Sequence, residues 1–149
     1  MALEHAFGDY AAKQTELSST YMSKCQQNYF SHVNNVQKLA ANARGKAQEL
    51  WQNYLQELRA IGAGDDTAER ATAACLKFQR EYSKLDVDYV KSCRDSYKNS
   101  IEALETLRTE TDGRGLENLV SYLDDLRNIL AGKAARGVGP TDGGGKKSK

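Results

Sequence analysis

The sequence predicts an all-α protein, and three observations support that prediction. Apolar and small residues recur every 3 or 4 positions through long segments, as they do on one face of a helix. The single proline among the 149 residues, Pro140, lies near the C-terminus and interrupts no earlier helix. Breaks at residues 62–66 and 112–115, each with two glycines, separate three helical segments. We therefore expect a long antiparallel helical hairpin with a short third helix and a disordered C-terminal tail.

The first helix is predicted over residues 9–61, with Asp9 as its N-cap. Gly45 lies inside it, at a cost of about 1 kcal/mol relative to alanine. Because residues 40–47 are rich in alanine, we expect Gly45 to permit close packing rather than to form a hinge.

A second helix is predicted over residues 67–111, opened by a capping arrangement of Asp66 and Glu69. A short third helix with a leucine stripe follows over residues 115–131, and Gly132 ends it. Residues 1–132 are then one helical domain, and residues 133–149 are a disordered basic tail. We find no internal repeat by inspection.

The net charge of +1 is unevenly distributed along the chain. Residues 131–149 contain five basic residues and one acidic residue, a net of +4, which leaves −3 on residues 1–130. A nucleic-acid-binding domain places its positive charge on a folded face. We therefore expect no nucleic-acid partner, and we interpret the tail as a solvated terminus.

Compartment is predicted from hydropathy and cysteine use. No apolar run approaches the roughly 20 residues that span a bilayer, and the first residues lack the basic and apolar regions of a secretory signal. The cysteines, Cys25, Cys75 and Cys93, are odd in number and far apart, as expected of free thiols in a reducing compartment. We expect a cytoplasmic protein without a transmembrane segment.

Motifs for catalysis or metal binding are not found in the sequence. Cys25 and His32 are two helical turns apart, but a structural zinc site needs four ligands. Glu102 and Glu105 share a helix face without the histidine of a di-iron bundle. Nucleotide-binding loops and the nucleophile elbow are also missing, and the chain has only two histidines. We expect no metal, no cofactor and no enzymatic activity.

The long stripes are rich in tyrosine, alanine and cysteine rather than in the Leu, Ile and Val of a strong coiled coil. Tyrosine suits a half-hydrated interface. Two interpretations stay open: a loosely packed bundle, or a surface that contacts a hydrophobic particle or a protein partner. A hairpin also leaves each stripe with one neighbour, so we expect a homo-oligomer. The residues predicted to make the contact are Tyr21, Tyr29, Val33, Val36, Leu50, Tyr54, Phe78, Tyr82, Tyr89 and Tyr97.

Three features resemble a phasin, one of the small helical proteins that coat polyhydroxyalkanoate storage granules in bacteria. They are the alanine-bearing helix around residues 35–50, the break at residues 62–66, and the opening Ala68-Glu69-Arg70-Ala71 of the second helix. The resemblance covers roughly residues 7–107. It implies a non-enzymatic protein whose helices adsorb to the granule polyester, self-associate and recruit other granule proteins.

Two other functions fit the same stripe. A coiled-coil adaptor or chaperone would bind one specific protein partner through it. A peripheral membrane protein would combine its amphipathic helices with the basic end Lys146-Lys147-Ser148-Lys149. The polar positions carry both signs of charge, so the membrane hypothesis ranks last.

Overall fold

The computed structural model describes residues 1–137, with side chains described as far as residue 132. Helix α1 spans Ala2–Ala60 and helix α2 spans Thr67–Gly137, and the described part contains no strand. The predicted all-α fold is confirmed. Of the predicted tail, residues 133–137 belong to α2, and residues 138–149 lie outside the described part.

The turn between the helices coincides with the break at residues 62–66. Helix α1 ends with Arg59 in its last turn, where a basic group is favoured by the helix dipole. No described residue has a positive φ. The turn before α2 is held by Thr67, whose hydroxyl accepts from the Gly64 N–H at 2.9 Å and lies 2.7 Å from the Gly64 carbonyl oxygen.

The predicted third helix is not a separate element. Helix α2 runs unbroken through residues 112–115, so the break predicted there is wrong. Gly115 lies against α1, where an added Cβ would be 3.7 Å from Leu17 Cδ2. The helix continues through both glycines, since their low propensity costs only about 1 kcal/mol each and no proline blocks the helical hydrogen bonds.

Positions that face the other helix repeat every 11 residues. In α1 steps of 4, 4 and 3 lead from Ala6 to Ile61, and in α2 the same steps lead from Ala74 to Ile129. All of these positions except Tyr82 are buried or half-buried. We call this set the seam: Ala6, Tyr10, Gln14, Leu17, Tyr21, Cys25, Asn28, His32, Val36, Leu39, Ala43, Ala47, Leu50, Tyr54, Leu58 and Ile61, with Ala74, Phe78, Tyr82, Leu85, Tyr89, Cys93, Ser96, Ser100, Leu104, Leu107, Thr111, Gly115, Asn118, Tyr122, Leu126 and Ile129.

The sequence also repeats after 68 positions. Aligned without gaps, residues 1–64 and 69–132 are identical at 15 positions, and the spacing of Leu17, Tyr21 and Cys25 recurs in Leu85, Tyr89 and Cys93. The match is densest at its end, where YLQELRAIGAG (54–64) corresponds to YLDDLRNILAG (122–132). The seam pattern of α1 therefore recurs in α2 at a fixed offset of 68 positions.

The chain forms two compact units. The loop unit is Cys25–Glu105, and the terminal unit joins Met1–Lys24 to the chain from Thr106 onward. In the loop unit, residues 28, 32 and 57 contact residues 100, 96 and 77, so the partner number falls as the residue number rises. In the terminal unit, residues 10 and 14 contact residues 122 and 118 in the same order. Each unit thus places a segment of α1 beside an oppositely directed segment of α2.

Candidate interaction surface

Aromatic rings form the strongest apolar contact of the loop unit. Phe78 stacks on Tyr54 with ring centroids 5.0 Å apart, and its ring lies 4.6 Å from Trp51 and 5.7 Å from Tyr82. Aromatic pairs of this kind contribute about 0.5–1.5 kcal/mol beyond the area that they bury. Phe78 is therefore the residue on which the α1 and α2 segments of this unit converge.

Two tyrosines of the seam are paired with cysteine thiols. Partial burial and a hydrogen bond with Cys75 raise the pKa of Tyr54 above its ordinary value. A hydrogen bond with Cys93 raises the pKa of Tyr89. Because the folded state favours the neutral phenol, the stability from these tyrosines is fully present below their ordinary pKa. It is lost as the pH rises through the raised pKa.

A polar cluster interrupts the seam at the end of the loop unit that is farthest from the turn. Ser96 is buried (8% exposed), and its Oγ accepts from Asn35 Nδ2 at 2.8 Å and lies 2.9 Å from His32 Nδ1. Ser100 Oγ donates to Asn28 Oδ1 at 2.6 Å. The 68-residue repeat relates Asn28 to Ser96 and His32 to Ser100, so the His32–Ser96 and Asn28–Ser100 contacts are equivalents of each other.

The pairing of His32 with Ser96 has the composition of a nucleophile and a base. However, the backbone N–H groups around Ser96 lie in the middle of α2, where they donate within the helix. They offer no donors to a developing oxyanion. We interpret the cluster as a register device, since paired polar groups in an apolar seam penalise any shifted alignment of the helices.

One side of the seam in the loop unit is polar. The positions on this side come 3 and 7 residues after the seam residues Asn28, Leu39 and Leu50 in α1, and after Ala74, Leu85 and Ser96 in α2. We call them the polar flank: Ser31, Asn35, Asn42, Lys46, Asn53, Glu57, Lys77, Glu81, Asp88, Ser92, Asn99 and Ala103.

Contacts place the two halves of the polar flank on the same side. Lys77 Nζ donates to Glu57 Oε1 at 2.7 Å, and this bond raises the pKa of Lys77. Both groups also line a groove of about 400 Å³. A second groove, of about 480 Å³, is lined by Ser31 and Asn35 from α1 and by Asn99 from α2.

The opposite side of the seam is apolar. It consists of the positions 1 and 5 residues after the same starting residues. Its largest members stand well out of the seam: Tyr29 is 63% exposed, Trp51 56% and Tyr97 60%. We call these positions the apolar flank: Tyr29, Val33, Ala40, Arg44, Trp51, Leu55, Cys75, Gln79, Asp86, Val90, Tyr97 and Ile101.

Contacts again place the apolar-flank positions of both helices on one side of the loop unit. Tyr97 of α2 has its ring 6.0 Å from that of His32 in α1. A groove of about 270 Å³ is lined by Ala40 and Arg44 from α1 and by Asp86 from α2. The loop unit therefore has one hydrated side and one side that exposes large apolar groups.

The terminal unit, taken by itself, follows the same rule. Tyr10 stacks on Tyr122 at 4.7 Å, and Phe7 contacts Tyr122 edge-on at 6.4 Å. The nine described positions equivalent to the apolar flank are Phe7, Ala11, Ser18, Met22, Arg108, Asp112, Leu119, Leu123 and Leu130, and three of them are polar or charged. Those equivalent to the polar flank include Asp9, Lys13, Thr20, Lys24, Glu110, Arg114, Ser121 and Asp125.

The ten residues predicted to make contacts divide between these surfaces. Three lie on the apolar flank: Tyr29, Val33 and Tyr97. Seven lie in the seam: Tyr21, Val36, Leu50, Tyr54, Phe78, Tyr82 and Tyr89. The prediction missed four large flank residues: Trp51, Leu55, Val90 and Ile101. The 11-residue period would have found them, because it separates the seam from its flank.

Other site types were searched for in the same residues. No helix within the described range is long and apolar enough to cross a bilayer. In that part of the chain, no group of three or more His, Cys, Asp or Glu side chains is arranged to hold a metal ion. All three cysteines are free thiols. Comparison with protein-family models, with curated proteins and with solved structures finds no match for this chain.

Proposed function

We propose that the protein is a non-enzymatic coat protein that adsorbs to a hydrophobic surface through its apolar flank. The observation that carries the proposal is the difference between the two sides of the loop unit. One side exposes Tyr29, Trp51 and Tyr97, whereas the other is polar except for Ala103. A surface with one apolar and one hydrated side binds an apolar phase and keeps it dispersed in water.

The phasin resemblance supports a polyhydroxyalkanoate granule in the cytoplasm as the surface. On this proposal the two helices stay paired as an antiparallel hairpin, and the seam is not opened. Each large flank residue then transfers roughly 100 Å² of apolar area, a gain of about 2 kcal/mol before the costs of binding are subtracted. Adsorption is thus shared among many side chains, and no single one is essential.

Co-sedimentation with amorphous polyhydroxybutyrate particles tests the proposal, beside neutral and anionic liposomes at two salt concentrations. We expect binding to the polymer that is insensitive to salt, because burial of apolar area rather than charge drives it. Trp51 is the only tryptophan and lies on the apolar flank. Its fluorescence emission should therefore shift to shorter wavelength as the protein adsorbs.

A pair of matched variants locates the binding side. The triple variant Leu55→Asp, Val90→Asp and Ile101→Asp adds three negative charges to the apolar flank and keeps Trp51. The control variant Asn42→Asp, Asn53→Asp and Asn99→Asp adds the same charge to the polar flank. We expect the first to weaken polymer binding by more than about tenfold and the second to change it less than about twofold.

Three outcomes would count against the proposal. Equal losses in the two triple variants would show that the apolar flank is not the contact. Binding that requires anionic lipid and falls with salt would favour a peripheral membrane protein. Absence of binding to every particle would favour an adaptor or chaperone with one dedicated protein partner.

A further inference from the structure

Two opposite charges interrupt the apolar flank of the loop unit. Arg44 in α1 and Asp86 in α2 line the same groove, so they lie at the same level along the two helices. Charges in the middle of an apolar contact are costly unless each meets an opposite charge. We propose that a second copy of this chain docks on the apolar flank of the loop unit, with Arg44 of each copy paired to Asp86 of the other.

The pairing follows because Arg44 and Asp86 lie at the same position along the helix axis. A second copy turned by half a turn about an axis parallel to the helices places its α1 over α2 of the first copy. That rotation does not change the position of any residue along the helix axis. Each Arg44 therefore lies opposite the Asp86 of the other chain. The contact is isologous and closes after two copies. Every helix then has an antiparallel neighbour, as in a four-helix bundle.

The exposed area is sufficient for such a contact. Six large side chains of the flank (Tyr29, Trp51, Leu55, Val90, Tyr97 and Ile101) are between 37% and 63% exposed. Together they offer on the order of 700 Å² per copy, close to the roughly 800 Å² per partner of a standard interface. Both stripes also follow the same 11-residue spacing, so the apolar positions of both helices continue along the flank.

The polar flank does not offer a contact of this kind, because it carries hydrated side chains such as Asn53, Glu57 and Lys77. This inference rests on the apolar flank that the proposed function also uses. A dimer covers that flank, so a copy must leave its partner before it adsorbs, and dimerisation and adsorption are measured separately.

Sedimentation equilibrium of the full chain, over a series of concentrations, measures the association. We expect a reversible dimer for the wild-type protein. Arg44→Glu and Asp86→Lys each place two like-charged pairs in the contact and should weaken dimerisation by at least about tenfold. Helix content and thermal midpoint, measured by circular dichroism, show whether each variant keeps its fold.

Mixing the two variants separates a contact between chains from one within a chain. In a mixed dimer, Glu from Arg44→Glu faces Lys from Asp86→Lys, and the other pair is the native one. Affinity should therefore return to within about threefold of the wild-type value. Within each single chain the charges at these positions remain alike, so an intramolecular pair cannot give this recovery. The neutral variants Arg44→Gln and Asp86→Asn should weaken the dimer less, and mixing them should restore part of the loss, because the mixed dimer regains one of the two native Arg44–Asp86 pairs.

A wild-type protein that stays monomeric at every concentration overturns the inference. So does a dimer that is unaffected by the single substitutions, or one that mixing does not restore. The particle assay is run on the same samples. A wild-type protein that is monomeric but adsorbs removes this inference alone. A wild-type dimer removes only the proposed coat function if neither it nor the monomeric Arg44→Glu variant adsorbs.

Discussion

The two units contain the same aromatic pair in different surroundings. The 68-residue repeat relates Tyr54 to Tyr122 and Phe78 to Tyr10, and both pairs stack, at 5.0 Å in the loop unit and 4.7 Å in the terminal unit. In the loop unit two more rings, Trp51 and Tyr82, contact Phe78. Both central pairs therefore occupy corresponding seam positions, and the two units differ in the residues around them.

Amide groups replace rings in the terminal unit. Gln14 takes the place that Tyr82 holds in the loop unit, and its Nε2 donates to the Tyr10 hydroxyl at 3.0 Å. Asn118 Nδ2 donates to Gln14 Oε1 at 3.1 Å. The comparison teaches that the same seam spacing accommodates different neighbours: the terminal unit adds amide hydrogen bonds around its stacked pair, and the loop unit adds further rings.

The largest expected effect tests this difference directly. Phe78→Ala removes three ring contacts and should lower the free energy of unfolding by about 2–3 kcal/mol, less than for a fully buried phenylalanine. Tyr10→Ala removes one stacked ring and one hydrogen bond and should cost about 1–2 kcal/mol. Urea unfolding followed by circular dichroism measures both. Equal losses would mean that the extra rings of the loop unit contribute nothing.

A smaller effect is expected at the polar seam positions. Ser96→Ala deprives His32 and Asn35 of their common partner in a buried place and should cost about 1–2 kcal/mol. Asn118→Ala acts in a half-buried place and should cost less than about 1 kcal/mol. The same urea assay compares them. A larger loss at Asn118 would show that the amide network, not the serine cluster, is the stronger polar link.

The smallest expected effect is a gain in stability, and it should be equal in the two units. Gly45 and Gly113 are equivalent in the repeat, and an added Cβ would meet nothing within 4 Å at either position. Gly45→Ala and Gly113→Ala should each stabilise the protein by about 0.5–1 kcal/mol, since both lie inside helices. A rise in thermal midpoint measures the gain. A loss at Gly113 would show that the helix is strained there.

The helical stripes could be predicted from spacing, but the continuity of α2 could not be predicted from local propensity. Gly113 and Gly115 were interpreted as a break because each was considered alone. The repeat aligns them with Gly45 and Ala47, in a stretch already predicted to be helical, and so contains the missing information. The close packing expected at Gly45 is wrong, because an added Cβ there would meet nothing within 4 Å. Spacing within one helix does not specify which residues of the other helix lie opposite.

Residues of the seam could not be distinguished from those of the apolar flank by sequence spacing, for a related reason. Steps of 3 and 4 residues connect Tyr29 to Val33 and Val36 as readily as they connect His32 to Val36. Only the order 4, 4, 3, repeated over several turns, distinguishes the positions between the helices from those beside them. Trp51 was missed because it follows a seam residue directly, and adjacent residues on a helix point about 100° apart.

The 11-residue spacing also constrains how the length of such a protein can change. Eleven residues complete three helical turns with a remainder of only about 20°, so seam and flank follow nearly straight lines along each helix. Insertion or deletion of 11 residues in both helices would leave every remaining side chain facing the same way. A change of five residues would rotate the rest of the helix by more than a quarter turn, and polar groups would replace apolar ones on the exposed side. The helices can therefore change length without moving the seam and its flanks only in steps of 11 residues, or three helical turns.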